Sequence, residues 1–210
     1  MIELENIVKK FDVHTVLNRV SFTFENGHSY AIIGESGSGK TTLLNIIGKL
    51  EEVDSGRVLV DTKPIDLMTE KDYFRNFIGY LFQNYGLIDN ETIEQNLELA
   101  FVGRKLPKSE KRKMMLEMLK TVNLKQELSR KIFSLSGGEA QRVGIAKIMI
   151  KNPPIILADE PTAALDSENS EEIMTLLLNM KNENRIIIIA THNPAIWNMA
   201  DEIIDLDTLK

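Results

Sequence analysis

Residues 34–41 of this 210-residue chain read Gly-Glu-Ser-Gly-Ser-Gly-Lys-Thr. They follow the apolar run at residues 30–33 and precede the helix-prone segment at residues 43–50. This order predicts a strand, a glycine-rich turn and the start of a helix. The spacing fits the pattern G-x-x-x-x-G-K-[ST], whose turn binds phosphate groups. We call residues 34–41 the phosphate loop.

The residue types in the phosphate loop suit an anionic ligand. Gly34, Gly37 and Gly39 permit left-handed backbone angles and let N–H groups approach a phosphate without a Cβ in the way. The following helix adds its positive end, and Lys40 can reach the β- and γ-phosphates. The hydroxyl of Thr41 can ligate a bridging Mg²⁺. A nucleoside triphosphate is the expected ligand; the competing interpretation is a glycine-rich turn with a chance lysine.

Composition excludes several classes of protein. The formal net charge of −6 argues against a protein that grips nucleic acid, which usually needs a basic face. The absence of cysteine excludes disulfides and thiolate metal sites. The longest uninterrupted apolar stretch, residues 186–190, is far shorter than the roughly 18 residues that cross a bilayer. The start of the chain has neither the basic region nor the apolar core of a signal peptide, so a cytoplasmic protein is expected.

Apolar periodicity predicts an α/β fold. Strands are expected at residues 2–8, 20–24, 29–33, 57–60, 78–82, 155–158, 185–190 and 202–206, and helices at 43–50, 93–102, 108–122, 137–150 and 167–181. Strands that alternate with helices indicate a mainly parallel sheet covered on both faces. We predict one domain, residues 1–210, in which residues 1–83 and 151–210 form the core and residues 84–150 form an inserted helical subdomain.

Four chemically suggestive positions fall at the ends of predicted strands, where ligands bind in such sheets. They are the phosphate loop after residue 33, Gln83, the pair Asp159 and Glu160, and His192. Asp159 closes an apolar strand and is expected to be a second anchor for Mg²⁺. Glu160 is the natural general base for a water that attacks a γ-phosphate. The alternative is that both acids are merely solvated.

The two remaining strand-end residues are less specific when each is taken alone. His192 is placed to sense or polarise the γ-phosphate, although a lone histidine is more often structural, as we expect for His14 and His28. Gln83 is a plausible contact for water or metal because of its position at a strand end.

The segment Ser136-Gly137-Gly138-Glu139, which we call the signature segment, precedes a long predicted helix. A simple interpretation is a capping box, in which Ser136 caps the helix and Glu139 reaches back. Two glycines weaken a helix, by about 1 kcal/mol each relative to alanine in its interior, and a cap does not need them. They offer bare backbone N–H groups, which predicts a second anion site and two copies of the chain that share each nucleotide.

Residues 135–139 resemble the signature of ATP-binding-cassette (ABC) ATPases, and the other motifs stand in that family's order over nearly the whole chain. The phosphate loop resembles Walker A, residues 155–160 resemble Walker B with its catalytic glutamate, and residues 164–166 resemble the D-loop. Gln83 resembles the Q-loop glutamine and His192 the switch histidine. A kinase or small GTPase would share the first motif but not the signature.

The resemblance implies a P-loop NTPase fold with a mainly parallel, RecA-like core sheet, an N-terminal antiparallel β portion and the inserted helical subdomain. It also implies a head-to-tail homodimer in which each ATP lies between Walker A of one copy and the signature segment of the other. Phe11 would stack on adenine, or else be structural. The nucleotide-binding positions implied are Phe11, Gly34, Ser36, Gly37, Ser38, Gly39, Lys40, Thr41, Thr42, Ser136, Gly137, Gly138 and Asp166. The catalytic positions are Glu160, His192 and Gln83, and the Mg²⁺ positions are Thr41, Gln83 and Asp159.

Departures from the family pattern are mild. Glu139 and Ala140 stand where relatives mostly have glutamine, Lys147 where they commonly have arginine, and Phe11 where tyrosine is more frequent. The wording of residues 79–83, 159–162 and 165–167 is most similar to the small cassettes of the macrolide-export and lipoprotein-releasing type, near the bacteriocin exporters. The chain ends soon after His192, without the regulatory domain of many importers, so an exporter or mechanical transducer is expected.

Such an ATPase needs an integral-membrane permease, which would hold it at the cytoplasmic face of the membrane; the family docks its permease around residues 83–102. A rival class is an ATPase that moves no solute and regulates a cell-envelope process through a permease-like partner. Cassette proteins of DNA repair and translation are a third class, but they carry a long coiled coil or two cassettes. The basic run at residues 105–113 is a solvated helix face, or a contact with lipid headgroups or a permease loop.

Overall fold

The computed structural model describes residues 1–163 and 165–209, which form two sheets and their flanking helices. The strands are β1 (Ile2–Phe11), β2 (His14–Phe24), β3 (Ser29–Ile33), β4 (Ser55–Val60), β5 (Lys63–Pro64), β6 (Ile78–Leu81), β7 (Ile155–Asp159), β8 (Ile186–Ala190) and β9 (Glu202–Asp205). The α-helices are α1 (Lys40–Ile47), α2 (Glu70–Asn76), α3 (Ile93–Glu98), α4 (Lys108–Thr121), α5 (Gly137–Lys151), α6 (Ser167–Leu178) and α7 (Pro194–Trp197).

An antiparallel sheet of order β2-β1-β4-β5 confirms the antiparallel portion of the predicted fold. The β1–β2 hairpin is longer than predicted, because pairing continues from Lys10↔Thr15 to Phe11↔His14 at its tip. Residues 14–19 are mostly exposed and show no apolar run, so only the partner strand reveals their extended conformation. The hairpin carries Phe11 and Val16 toward the phosphate loop.

A parallel sheet of order β6-β7-β8-β3-β9 confirms the mainly parallel core. Every residue of β7 and β8 is buried, as expected for strands covered on both faces. Because neighbouring strands run in the same direction, the loops after β3, β6, β7 and β8 leave the sheet at one edge. The four predicted strand-end positions therefore share that edge.

Alternate residues of β7 and β8 divide the core in two. Ile155 and Ile186 face a cluster with α1 and the antiparallel sheet, whereas Ile156 and Ile187 face a cluster with α3, α4, α5 and α6. The helices of residues 84–150 thus pack directly on one face of the parallel sheet. The assignment of that segment as a separate subdomain remains a prediction.

Helix boundaries differ from the predictions where apolar periodicity misleads. The helix predicted for residues 93–102 ends at Glu98 and continues as the 3₁₀ turn Leu99–Phe101, and that predicted for residues 167–181 ends at Leu178. Further 3₁₀ turns are Ile65–Leu67 and Ile132–Ser134. Helix α2 was not expected, because it buries only Tyr73 fully and its first turn, capped by Thr69, is charged.

No helix in residues 1–163 and 165–209 combines the length and apolar character that crossing a membrane requires.

Candidate nucleotide-binding and catalytic site

The edge of the parallel sheet carries an open cleft of about 690 Å³ beside the phosphate loop. It brings together eleven of the predicted site residues: Phe11, Gly34, Ser36, Gly37, Gly39, Lys40, Thr41, Thr42, Gln83, Glu160 and His192. Val16 and Glu35 complete its lining. Residues that lie far apart in sequence thus meet in one place.

The phosphate loop has the left-handed backbone that its glycines predict. The φ angles of Gly34, Gly37 and Gly39 are 148°, 81° and 97°. Lys40 begins helix α1, and its Nζ donates to the carbonyl oxygens of Gly34 and Glu35 at 2.9 Å each. The lysine therefore folds back over the loop, and its charge lies beside the backbone that would bind a phosphate.

Thr41 and Asp159 meet beneath the loop, where the Thr41 hydroxyl donates to Asp159 Oδ1 at 3.1 Å. Burial raises the pKa of Asp159, while the Thr41 hydroxyl and Lys40 act in the opposite direction. Within the described residues, no group of three or more histidines and acids could hold a metal alone. The hydroxyl and carboxylate are the hard oxygen ligands that Mg²⁺ takes when phosphate and water supply the rest, so these residues fit that ion.

Glu160 and His192 are held against each other by side-chain contacts. His192 Nδ1 lies 2.7 Å from Glu160 Oε1, and the Thr191 hydroxyl donates to Glu160 Oε2 at 3.3 Å. The backbone of Glu160 is left-handed, with φ at 45°, which is unusual for a residue with a side chain. The Glu160 side chain lines the cleft.

Phe11 and Gln83 complete the outer part of the cleft. Phe11 is 46% exposed and presents its ring at the hairpin tip, with Lys9 Nζ 5.1 Å from the ring centroid. An exposed aromatic ring in a cleft wall suits stacking on a base. Gln83 follows β6 and lines the same cleft as Glu160.

Ser38 is predicted to bind nucleotide but does not line the cleft. Its side chain is buried, and its Oγ has no hydrogen-bond partner among the residues that the structure describes. Its backbone N–H donates to the carbonyl of Glu35 at 3.1 Å, which closes the turn of the phosphate loop.

The signature segment lies outside the cleft, at the start of α5. Its capping box is confirmed: Ser136 Oγ accepts from the Glu139 N–H at 3.3 Å, and Glu139 Oε2 accepts from the Ser136 N–H at 2.8 Å. The latter hydrogen bond is the main cause of a lowered pKa at Glu139. Within one chain, Ser136, Gly137 and Gly138 do not approach the phosphate loop.

Asp166 also lies outside the cleft and caps helix α6. Its carboxylate accepts from the backbone N–H and the side-chain amide of Asn169 at 2.9 and 2.8 Å, and these hydrogen bonds lower its pKa. Ala164, part of the predicted D-loop, is outside the described residues.

Three contributors to the site escaped the sequence analysis. Val16 belongs to the unpredicted part of β2, and the carbonyl of Glu35 acts through its backbone, so neither gives a residue-type signal. Thr191 contacts Glu160 through its hydroxyl, and its place beside His192 at a strand end was an available signal.

Comparison with known proteins adds independent information. A family model described as ABC transporter matches residues 17–163. An uncharacterized ABC transporter ATP-binding protein, YvrO of Bacillus subtilis strain 168, is 40% identical over 97% of this chain and 92% of its own length. The lipoprotein-releasing system ATP-binding protein LolD of Bacteroides fragilis is 37% identical, covering 98% of this chain and 97% of the relative.

Longer proteins and a solved structure match as well. The macrolide export ATP-binding/permease protein MacB of Brucella melitensis is 36% identical over 98% of this chain, which spans only 33% of that longer protein. A dimeric structure of the ATP-binding cassette MJ0796, in a post-hydrolysis state bound to ADP and Pi, superposes with a TM-score of 0.88. It shares 34% identity and covers 98% of this chain and 95% of its own.

Proposed function

Because the chain belongs to the ABC transporter family, we propose that it is the ATP-binding and ATP-hydrolysing subunit of a transporter whose membrane-spanning part is a separate permease. The activity would drive export, or would transmit mechanical work, at the cytoplasmic face of the membrane. The observation that carries this proposal is the cleft in which Lys40 and Glu160 converge.

Most residues of the cleft, together with Asp159, have a chemical part in hydrolysis. The phosphate loop and Lys40 bind the triphosphate, and Phe11 stacks on the base. Glu160 accepts a proton from the water that attacks the γ-phosphorus, and His192, hydrogen-bonded to Glu160, orients that carboxylate. Thr41, Asp159 and Gln83 would hold Mg²⁺, which neutralises charge on the phosphate oxygens when bound.

A second copy would complete each site. The signature segment of one chain offers a helix start toward an anion, yet it lies outside that chain's own cleft. A head-to-tail homodimer would bring Ser136, Gly137, Gly138 and Asp166 of one copy to the nucleotide on the other. The MJ0796 cassette, whose solved structure is dimeric and bound to ADP and Pi, supports the pairing of two copies.

A groove near α2 is the proposed contact for the permease. Its cationic residues are Lys71, Arg75, Arg104 and Lys151, and the described residues that line it include no acid. Leu99 and Val102 are 44% and 56% exposed. Burial, together with the charge of Lys147, lowers the pKa of Lys151 to about 8. A permease segment with apolar side chains and carboxylates would complement this groove.

The catalytic assignment is tested by Glu160→Gln. Loss of the proton acceptor should lower ATP turnover by at least about 100-fold while the phosphate loop still binds ATP. Turnover is measured as phosphate release, and binding by calorimetry with ATP and Mg²⁺. Wild-type turnover in this variant would show that Glu160 is not the base. Thr208→Ala, near the end of the chain and outside the cleft, is the matched control and should leave both quantities unchanged.

The partner is tested with the same variant. Tagged Glu160→Gln is incubated with ATP, Mg²⁺ and detergent-solubilised source membranes, and captured proteins are identified by mass spectrometry. Recovery of a polytopic membrane protein supports the proposal, and loss of that protein with Lys151→Glu supports the groove as its contact. A partner that binds cell-wall enzymes would favour the regulatory class, and recovery of ribosomes alone would contradict the proposal.

A further inference from the structure

The backbone that presents Glu160 is strained. The residue before a proline is normally extended, with φ near −120°, but Glu160 precedes Pro161 and has φ at 45°. Such conformations persist only where the surroundings fix them. The position of the carboxylate in the cleft therefore depends on the contacts that hold this turn.

Backbone hydrogen bonds hold part of the turn. The Glu160 N–H donates to the Ala190 carbonyl at 2.9 Å, and the Ala163 N–H donates to the Glu160 carbonyl at 3.2 Å. Both hydrogen bonds involve the backbone groups of Glu160 itself. Neither restrains the carbonyl of Pro161, which begins the next peptide unit.

A side chain from α5 restrains that carbonyl. Gln141 Nε2 donates to the Pro161 oxygen at 2.7 Å, and Gln141 is 1% exposed. Because the proline ring fixes φ, an anchored carbonyl oxygen leaves the peptide between Glu160 and Pro161 little freedom. Among the described contacts, this is the one side-chain hydrogen bond from a helix to the turn.

Packing alone does not explain a glutamine at this position. Gln141 Oε1 is buried without a hydrogen-bond partner in the described part of the chain, and an unpaired buried acceptor is unfavourable. A methionine of similar size would fill the space without that cost. The side-chain amide of Gln141 is therefore explained by its hydrogen bond to the Pro161 oxygen.

We propose that Gln141 is a positioning residue that holds Glu160 in its productive orientation and links it to α5. This rests on the proposed function, in which Glu160 is the base and α5 begins with the signature segment. The helix that would contact the partner's nucleotide thus also fixes the base of its own chain. A displacement of α5 would move Glu160 through the hydrogen bond from Gln141 to Pro161.

The test is steady-state ATP hydrolysis by the full chain carrying Gln141→Met. Removing the donor should lower kcat by about tenfold or more and leave KM for ATP within about twofold, because nucleotide contacts are untouched while the base is misplaced. Ile148→Met is the matched control: it places the same side chain two turns along the same buried face of α5 and should leave both constants within about twofold. Melting temperatures confirm that both variants fold.

Two further measurements separate positioning from packing. Gln141→Asn keeps the amide, but its side chain is one methylene too short to reach Pro161. It should therefore show the same loss of kcat. If the methionine variant does not fold, this variant alone tests the role of Gln141. In single-turnover reactions, adding Gln141→Met to Glu160→Gln should lower the residual rate by less than about twofold, since both act through one group.

The outcomes are distinct. A kcat for Gln141→Met and Gln141→Asn equal to that of the control, in a protein that loses turnover with Glu160→Gln, overturns this inference and leaves the proposed function standing. A fully additive loss in the double variant also overturns it. Full turnover with Glu160→Gln overturns the proposed function itself.

Discussion

The phosphate loop and the signature segment both place glycines at the start of a helix, but different neighbours require those glycines. Gly39 has φ at 97°, and a Cβ there would lie 2.6 Å from Val16 Cγ1. A Cβ at Gly138 would lie 3.6 Å from its nearest neighbour, Leu165 Cδ2, which is ordinary contact. The chain's own fold requires the first glycine and not the second.

This difference indicates where the missing half of the site lies. The phosphate loop is completed by its own chain, through Lys40, Thr41 and Asp159. The signature segment is capped by its own Glu139 and lies outside the cleft. A glycine without an intramolecular reason is explained by a ligand or chain outside, which agrees with the proposed homodimer.

The largest effects on ATP binding and dimerisation should come from separate substitutions in the phosphate loop and in the signature segment. Lys40→Met should weaken ATP binding by at least about 100-fold through loss of the charge at the phosphates. Ser136→Arg should block ATP-dependent dimerisation and turnover while each monomer binds ATP as the wild type does. Calorimetry and light scattering with ATP measure the two properties. Unchanged sizing of Ser136→Arg would contradict the shared site.

Mixing these two inactive variants tests whether two copies share each site. In a mixed dimer, the wild-type loop of the Ser136→Arg copy meets the wild-type signature segment of the Lys40→Met copy, so one of two sites is intact. Because only the mixed dimer has a site free of both substitutions, equal amounts should restore turnover, to at most about half of the wild-type rate when every copy is in a mixed dimer. Each variant alone at the same total concentration is the control. A mixture no more active than its components would rule out a site shared by two copies.

A smaller effect is expected from the two glycines themselves. Gly39→Ala should destabilise the monomer by about 1–3 kcal/mol, because a left-handed residue gains a Cβ that meets Val16. Gly138→Ala should leave the free energy of unfolding unchanged or raise it by up to about 1 kcal/mol, yet weaken ATP-dependent dimerisation. Urea unfolding and light scattering measure these. Equal destabilisation of both monomers would show that the chain's own fold requires Gly138 as much as Gly39.

The smallest effect should follow Glu139→Gln. Hydrogen bonding from the Ser136 N–H lowers the pKa of Glu139, so the charge stabilises the fold above about pH 4.3, the unfolded value, and this contribution is lost as the pH falls through the lower folded value. The amide still caps, so the loss of stability at pH 7 should be about 0.5 kcal/mol and should shrink as the pH falls below about 4.3. Urea unfolding at several pH values measures it. If the difference in free energy of unfolding between the wild type and Glu139→Gln grows as the pH falls, the Glu139 charge does not stabilise the fold.

The phosphate loop shows what the sequence could establish about the site. Its residue types, order and spacing are local, so the glycine angles and the order of strand, loop and helix follow from short-range sterics. The helix itself spans Lys40–Ile47 rather than the predicted residues 43–50. The comparisons confirm the family and fold that these motifs predicted. The roles of individual residues remain predictions that the variants above test.

The exposed part of β2 and helix α2 could not be predicted from the sequence. The exposed part of β2 has no apolar pattern, so the hairpin that delivers Val16 to the cleft could not be predicted. Helix α2 was missed because one buried tyrosine does not make a periodic signal.

Short-range sequence signals specify the strand, loop and helix around residues 34–41, the apolar runs of β7 and β8, and the cap at Ser136, because each depends on neighbours within a few positions. Three other features depend on tertiary packing: the contact of Thr41 with Asp159, the left-handed backbone of Glu160, and the hydrogen bond from Gln141 to Pro161. Those contacts join separate elements, and their geometry is set by how the elements pack rather than by spacing along the chain.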